Sequence, residues 1–176
     1  MSLETIRAYK KVGERRFREC HGLYYEDIVV GEIVEHRPGR TVTEADNIWQ
    51  SLLAVNLHPL HIDAAYAEKS EWGRPLVSSL VTLSIVTGMS VNSTSARGIA
   101  NLGWEEIRLL HPVFVGDTLY AESEFLKKRL SRSRPTLGLV TCATRGLKAD
   151  GTVFLTFRRT FLVPTREHAL DEKAGY

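Results

Sequence analysis

The most apolar stretch of the chain, residues 76–91, constrains the fold more than any other feature. Serines, threonines and a glycine interrupt it, and it is shorter than the ~20 residues that a membrane-spanning helix needs. A segment this apolar is nevertheless driven out of water by the hydrophobic effect. We therefore expect residues 76–92 to form a buried central helix that the rest of the domain covers.

The second half of the chain consists of extended segments separated by turn residues. Four strands are predicted, at about residues 99–110, 118–128, 137–148 and 152–163. In the second of them, Leu119, Ala121 and Phe125 alternate with polar residues, as in a half-buried strand. Asp150-Gly151 predicts a tight hairpin between the last two. An early strand, several helices and then a run of antiparallel strands indicate an α+β domain whose sheet wraps a helix.

The first half of the chain contains shorter elements. Residues 32–41 have an extended pattern, and Thr43 with Asp46 forms a capping box before a helix predicted at 43–55. Pro59 ends that helix, and Asp63 can cap a short helix that runs through residue 68.

The chain shows no linker long enough to separate two domains. The highly charged residues 4–20 predict a surface helix or a mobile arm. We therefore divide the chain into an N-terminal helical arm at 1–22, one domain at 23–165 and a C-terminal tail at 166–176.

Composition limits the classes of partner and compartment. The 176 residues are 43% apolar, which supports one buried core, and the formal net charge is only +2. A protein that tracks nucleic acid phosphates carries a larger basic surplus, so nucleic acid is not an expected partner. The two cysteines, Cys20 and Cys142, predict neither a disulfide framework nor a metal cluster. Since the N-terminus also lacks an export signal, we expect a cytoplasmic protein that does not associate with membranes.

Two of the six histidines, His58 and His61, share the loop at residues 56–63. Imidazole exchanges protons near neutral pH, and a neighbouring oxygen atom can fix which ring nitrogen carries the proton. Pro59 stiffens this loop, so it could present both rings to a substrate. The simpler interpretation is that both are surface histidines that hydrogen-bond only to helix ends.

Several motifs in this region and beyond it match a known family in order and spacing. The matching residues are Pro59-Leu60-His61, Asp63, Ala67, Trp72-Gly73-Arg74-Pro75, Asn101-Leu102-Gly103-Trp104 and Pro112-Val113-Phe114-Val115-Gly116-Asp117-Thr118-Leu119. Over about residues 25–163 the chain resembles the MaoC-like dehydratase, or (R)-specific enoyl-CoA hydratase, family, nearest its mesaconyl-CoA hydratase branch. The resemblance implies a single hot-dog domain, in which a curved antiparallel sheet wraps a long central helix. It also implies at least a homodimer and an acyl-CoA substrate, with no cofactor beyond the CoA of that substrate.

The chain departs from this family at two positions of the hydratase motif. Asn56 stands where the family has its catalytic aspartate, and His58 stands where the family has asparagine. An amide cannot act as a general base. The resemblance therefore leaves His61 as the base, alone or with His58 as its proton partner, while Asn56 positions the water.

The family stabilises the thioester oxyanion with a backbone N–H at the start of the central helix, and Ser79 occupies the matching position. An ordinary first-turn serine is the alternative for Ser79. Four cations could bind the CoA phosphates, although a solvated basic strand edge explains most of them equally well. These are Arg108, Lys127, Arg132 and Arg134. The spacing of the loop histidines fits no zinc template, so no metal is expected.

We therefore expect a hydro-lyase, an acyl-CoA hydratase or dehydratase that acts on a short 2-enoyl-CoA or 3-hydroxyacyl-CoA. Two alternatives remain open. Asn56-Leu57-His58 is also similar to the Asn-x-His arrangement of plant-type acyl carrier thioesterases, which share the fold. The missing aspartate is equally consistent with a catalytically silent acyl-CoA-binding protein.

Overall fold

A computed structural model describes residues 8–171 and 173–175. These residues form the α-helices α1 (Glu44–Leu53), α2 (Pro59–Ile62), α3 (Ala64–Glu68) and α4 (Ser79–Ser90). They also form the strands β1 (Tyr9–Gly13), β2 (Arg16–Glu19), β3 (Ile33–Thr41), β4 (Ala100–Leu109), β5 (Thr118–Leu130), β6 (Leu137–Lys148) and β7 (Val153–Pro164). Within this part of the chain, no helix is both long and apolar enough to cross a bilayer.

The main sheet has five strands in the order β3-β5-β6-β7-β4, and every neighbouring pair is antiparallel. Short turns join β5 to β6 and β6 to β7, which places these three strands at the centre. The turn at Gly151 (φ 85°) confirms the hairpin that Asp150-Gly151 predicts. The edge strands β3 and β4 lie on either side of the helices in the sequence.

Helix α4 packs against one face of this sheet and forms the centre of the main hydrophobic core. Val81 and Val86 of α4 are fully buried against Leu119, Phe154 and other apolar side chains of the strands. Space between the sheet and the helix is tight at Gly146, where a Cβ atom would lie 2.6 Å from Phe154 and 2.9 Å from Val86. The predicted arrangement of a sheet around a buried helix is therefore confirmed.

Helix caps follow the sequence signals closely. Asp46 of α1 donates its backbone N–H to Thr43 Oγ1 (3.3 Å) and accepts the N–H of Thr43 through its carboxylate (2.9 Å). Asp63 caps α3 by accepting the backbone N–H of Tyr66 (3.0 Å). Both reciprocal and single caps satisfy N–H groups that the first turn of a helix leaves without partners.

The central helix begins three residues later than the apolar run. Leu76 instead pairs with Phe114 in an isolated antiparallel bridge, and the N–H of Val77 donates to the carbonyl of Val113 (2.9 Å). Extended pairing at 76–77 competes with the helix and wins, so Pro75 is not in a first helical turn. The helix starts at Ser79 and, after Ser90, widens into a single π turn at Val91–Ser95.

The helical arm predicted for residues 1–22 is wrong over residues 9–19. There β1 and β2 form a two-stranded hairpin, with Tyr9 opposite Glu19 and Lys10 opposite Arg18. Gly13 disfavours a helix through this segment. Residues 1–7 of the predicted arm lie outside the described residues.

A buried polar network connects β3 to the end of α4. The Nδ1 atom of His36 lies 2.6 Å from Ser93 Oγ, and its Nε2 atom lies 2.8 Å from Ser123 Oγ. Arg159 of β7 is also buried and donates to the hydroxyls of Thr94 (3.3 Å) and Ser95 (3.1 Å). Burial, followed by the positive charge of Arg159, lowers the pKa of His36 to about 4.

Candidate functional site

His61 lies in the last turn of α2, next to the segment that leads into α4. The chain leaves α1 through Val55, which adopts a left-handed conformation (φ 55°), and α2 then begins at Pro59. The Nδ1 atom of His61 lies 2.8 Å from the carbonyl oxygen of Leu76. A carbonyl oxygen only accepts, so Nδ1 carries the proton of the neutral ring and Nε2 keeps a free lone pair. This is the tautomer that a general base requires when Nε2 faces the substrate.

Asn47, on the buried face of α1, holds the segments around His61 together. Its Nδ2 group donates to the carbonyls of His61 (2.9 Å) and Leu76 (3.2 Å). Its Oδ1 atom accepts the N–H of Ser78 (2.9 Å), immediately before α4. The sequence does not mark Asn47, because its partners at residues 61, 76 and 78 are distant in the chain and leave no local signal.

Ser79 is the first residue of α4, where the helix leaves N–H groups without intrahelical partners. The N–H of the preceding Ser78 is bonded to Asn47, so Ser79 is the next amide able to meet a ligand. The positive end of the helix dipole lies at the same place and favours a negative oxygen there. The predicted role for the Ser79 amide is thus compatible with its position.

A cavity of about 360 Å³ lies beside these groups. It is lined by His61, Trp72, Leu76, Val77, Ser79, Thr82, Leu109, Leu110, His111, Pro112, Val113 and Phe154. Most of these side chains are apolar, and a few polar groups converge on one cavity, as is typical of small-molecule sites. The structure therefore brings together two of the predicted site residues, His61 and Ser79.

The other two loop residues, Asn56 and His58, do not belong to the described lining of this cavity. Asn56 donates from Nδ2 to Ser78 Oγ (3.2 Å). His58 caps α2, because its Nδ1 atom accepts the N–H of Leu60 (3.2 Å), and its ring centroid lies 5.8 Å from that of His61. This is the helix-end role of the simpler interpretation for His58, and the contact favours neither the thioesterase alternative nor a proton relay.

Two of the four cations predicted to bind CoA phosphates, Arg132 and Arg134, lie at a cavity separate from the one beside His61. Arg132 and Arg134 line a separate cavity of about 490 Å³ with Leu102 and Leu162, near the start of β4 and the end of β7. The cavity beside His61 lies at the opposite end of that strand pair. Arg108 lies on β4 and Lys127 on β5, and neither belongs to the described lining of the His61 cavity. Their role stays a prediction.

Two residues that the sequence did not mark as catalytic, His111 and Thr82, also line the cavity. His111 follows β4 and Thr82 lies one turn into α4. Their proximity to His61 depends on the pairing of the segments at residues 76–77 and 113–114, which no local pattern reveals. Across the described residues, no group of three or more histidine, cysteine or acidic side chains is arranged to hold a metal.

Comparison with known proteins identifies the family. The family model for mesaconyl-CoA hydratase matches residues 4–175. The chain belongs to the mesaconyl-CoA hydratase family. A relative named mesaconyl-CoA hydratase, from Cereibacter sphaeroides, is 33% identical over 153 residues, which are 87% of this chain and 44% of the relative. This chain therefore spans less than half the length of that curated relative.

Solved structures confirm the hot-dog fold and the MaoC-like resemblance of this family member. A MaoC-like dehydratase from Rhodospirillum rubrum is 28% identical, with a TM-score of 0.72, over 82% of this chain and 99% of that one. A double-hotdog protein from Mycobacterium tuberculosis, 22% identical, has a TM-score of 0.76 over 84% of this chain but 46% of its own. The chain therefore corresponds to one hot-dog unit.

Proposed function

We propose that this chain binds a short 2-enoyl-CoA or 3-hydroxyacyl-CoA in the cavity beside His61 and catalyses the reversible addition of water. The observation that carries this proposal is the position of His61, whose Nδ1 donates to the Leu76 carbonyl, on the same cavity as Ser79, the first residue of α4. Membership of the mesaconyl-CoA hydratase family supports the same reaction class.

The chemistry uses two groups at opposite ends of the reacting system. In hydration, Nε2 of His61 accepts a proton from water as the water oxygen bonds to C3 of the enoyl group. Electron density moves to the thioester oxygen, which the Ser79 N–H and the positive end of α4 stabilise. Asn56 is an amide and takes no proton in either direction.

The predominantly apolar lining of the cavity suits an acyl group, and its volume suits a short one. The nucleotide end of CoA carries phosphates, for which Arg132 and Arg134 are the proposed contacts, with Arg108 and Lys127 as further candidates.

Charge-reversal of Arg132 should raise KM for acyl-CoA without lowering kcat. An unchanged KM would remove this residue from the binding site.

We also infer a homodimer. The edge strand β4 keeps large apolar side chains exposed, including Trp104 and Ile107 (both 44% exposed). The double-hotdog protein supplies two such units in one chain, and a second copy of this chain can supply the second unit here.

The cysteines Cys20 and Cys142 are free thiols, which supports a reducing compartment such as the cytoplasm.

The central test is turnover. Purified protein is incubated with crotonyl-, mesaconyl- and itaconyl-CoA while the enoyl absorbance is followed. We expect consumption of at least one substrate, and a loss of ~10²-fold or more in kcat for His61→Ala, because a proton-transfer group is removed. His168→Ala, in the C-terminal turn, is the matched control.

Other outcomes would assign another function. Release of free CoA thiol without loss of the enoyl group would indicate a thioesterase. Binding of an acyl-CoA with no turnover, unaffected by His61→Ala, would indicate a silent binding protein. Either result would contradict the proposed hydratase.

A further inference from the structure

Water addition takes a proton from oxygen and delivers one to C2, and a second titratable group beside His61 can supply the proton at C2. His58, the proton partner that the sequence suggested, does not belong to the described cavity lining, and Asn56 is an amide that carries no proton. Asn56 is bonded to Ser78, and His58 accepts the N–H of Leu60 at the start of α2. The partner of His61 must therefore come from another element.

His111 meets the requirement. Of the described residues that line the cavity, only His61 and His111 carry side chains of a type that titrates near neutral pH. His111 follows β4, and its backbone N–H lies 3.4 Å from the carbonyl of Phe154, another lining residue. Pro112 comes directly after it and limits the backbone freedom of this corner.

The backbone brings the two imidazoles to one cavity. Leu76 donates its N–H to the carbonyl of Leu60 (3.0 Å), next to His61, and accepts from the His61 ring (2.8 Å). Val77 then donates to the carbonyl of Val113 (2.9 Å), two residues after His111. The segment at residues 76–77 is thus shared by both histidine-bearing loops, which fixes their relative position.

The surrounding charges leave these two rings as the proton carriers. Arg74 stacks over the ring of Phe114 at 3.9 Å, and Lys148 pairs with Asp117 at 2.7 Å. Arg108 lies on β4 before the cavity residues Leu109 and Leu110. None of these charged side chains belongs to the described lining.

We propose, resting on the hydratase function above, that His111 is the general acid and base at C2, while His61 serves the oxygen at C3. In hydration an O–H bond of water breaks as His61 Nε2 takes the proton, and the water oxygen bonds to C3. The π electron pair of the C2=C3 bond shifts toward the thioester carbonyl, which gives an enolate. A C–H bond then forms at C2 with the proton of His111, which becomes neutral. Solvent carries a proton from His61 back to His111, so one water is consumed and both rings are restored.

The pH profile of kcat/KM tests this assignment. Wild type should show a bell-shaped profile, because His61 must be neutral and His111 protonated for hydration. His111→Gln should lower kcat by ~10²-fold and remove the alkaline limb. His111→Lys should keep part of the activity and move the alkaline limb upward, since lysine ordinarily titrates near ~10.4. A purely structural histidine would not shift that limb.

Controls separate this assignment from the function on which it rests. His168→Gln, remote in the C-terminal turn, should leave both limbs unchanged, and thermal unfolding checks that each variant is folded. Turnover in wild type with an unaltered profile in both His111 variants overturns the assignment but not the hydratase. The assignment is likewise overturned, and the hydratase kept, if His58→Gln rather than His111→Gln removes the alkaline limb. Absence of turnover in wild type overturns both.

Discussion

At the scale of single residues, the site depends on polar side chains that bind backbone atoms. Asn47 contacts three backbone groups on two segments and is almost completely buried. Removing one partner from a buried hydrogen bond leaves the other unsatisfied, which costs more than the bond itself contributes. Asn47 is therefore a positioning residue for His61 and for the start of α4.

Asn47→Asp tests this role with little change in shape. The carboxylate loses the N–H donors and would face the carbonyls of His61 and Leu76. We expect the free energy of unfolding in urea to fall by about 1–3 kcal/mol. We also expect kcat to fall more than KM changes. Asn92→Asp, at an exposed position, is the control, and equal effects in both variants would contradict the assignment.

His36 makes stability depend on pH. Burial and Arg159 lower its pKa to about 4 in the folded state, whereas the unfolded chain has the ordinary value near ~6.5. Between these values the unfolded state binds the extra proton, so stability is complete above about pH 6.5 and falls as the pH drops toward 4. Wild type should therefore lose about 2 kcal/mol more between pH 7 and pH 5 than His36→Gln does. Urea unfolding at both pH values measures this difference, and parallel losses would refute it.

Single residues also mark the limit of prediction from the sequence. The motif with fixed spacing marks His61 and Ser79, which the structure places on one cavity. It does not mark Asn47 or His111, because their contacts are to backbone groups that are distant in the chain. His58 shows the opposite case, since a motif position suggested chemistry while its ring caps a short helix.

At the scale of elements, local signals predicted structure wherever they were not opposed by tertiary contacts. The capping box at Thr43 and the four late strands have the expected positions. The start of α4 differs from the predicted start at residue 76, because pairing with residues 113–114 holds Leu76 and Val77 extended. The N-terminal hairpin differs because composition alone did not distinguish a charged helix from charged strands.

The contact between α4 and the sheet at Gly146 gives a prediction for this scale. Gly146→Ala places a Cβ atom against Phe154 and Val86, and overpacking a core commonly costs about 1–3 kcal/mol. Gly88→Ala is the matched control, because its Cβ atom meets no neighbour within 4 Å and alanine favours a helix by about 1 kcal/mol. The midpoint temperature of thermal unfolding should thus fall for Gly146→Ala and rise for Gly88→Ala. A shift in the same direction for both would contradict this packing.

At the scale of the whole molecule, β4 is an edge strand that, among the described residues, no other strand covers on one side. Its N–H and C=O groups on one side form a sheet edge, and apolar side chains along it are exposed. The sequence predicted this strand and, through the family resemblance, a dimer. It could not show that apolar side chains such as Trp104 and Ile107 remain uncovered, since exposure depends on the finished fold.

The proposed dimer predicts a mass in solution of twice the 19.8 kDa of one chain. Ile107→Lys places a charge on the edge strand and should shift sedimentation toward the monomer. Leu170→Lys, at an exposed apolar residue in the C-terminal segment, should leave the mass unchanged. A monomeric wild type, or a dimer unaffected by the Ile107 change, would contradict the proposal.

The shared segment at residues 76–77 has a consequence for how such a protein diversifies. Its links to the two histidine loops use main-chain N–H and C=O groups, apart from the His61 ring itself. Every substitution except proline leaves these main-chain groups in place. The wall of the cavity, in contrast, consists mostly of side chains such as Trp72, Leu109 and Val113. If the cavity binds the acyl group as proposed, substitutions in this wall change the substrate preference of related proteins while the relative placement of the two histidine loops is kept.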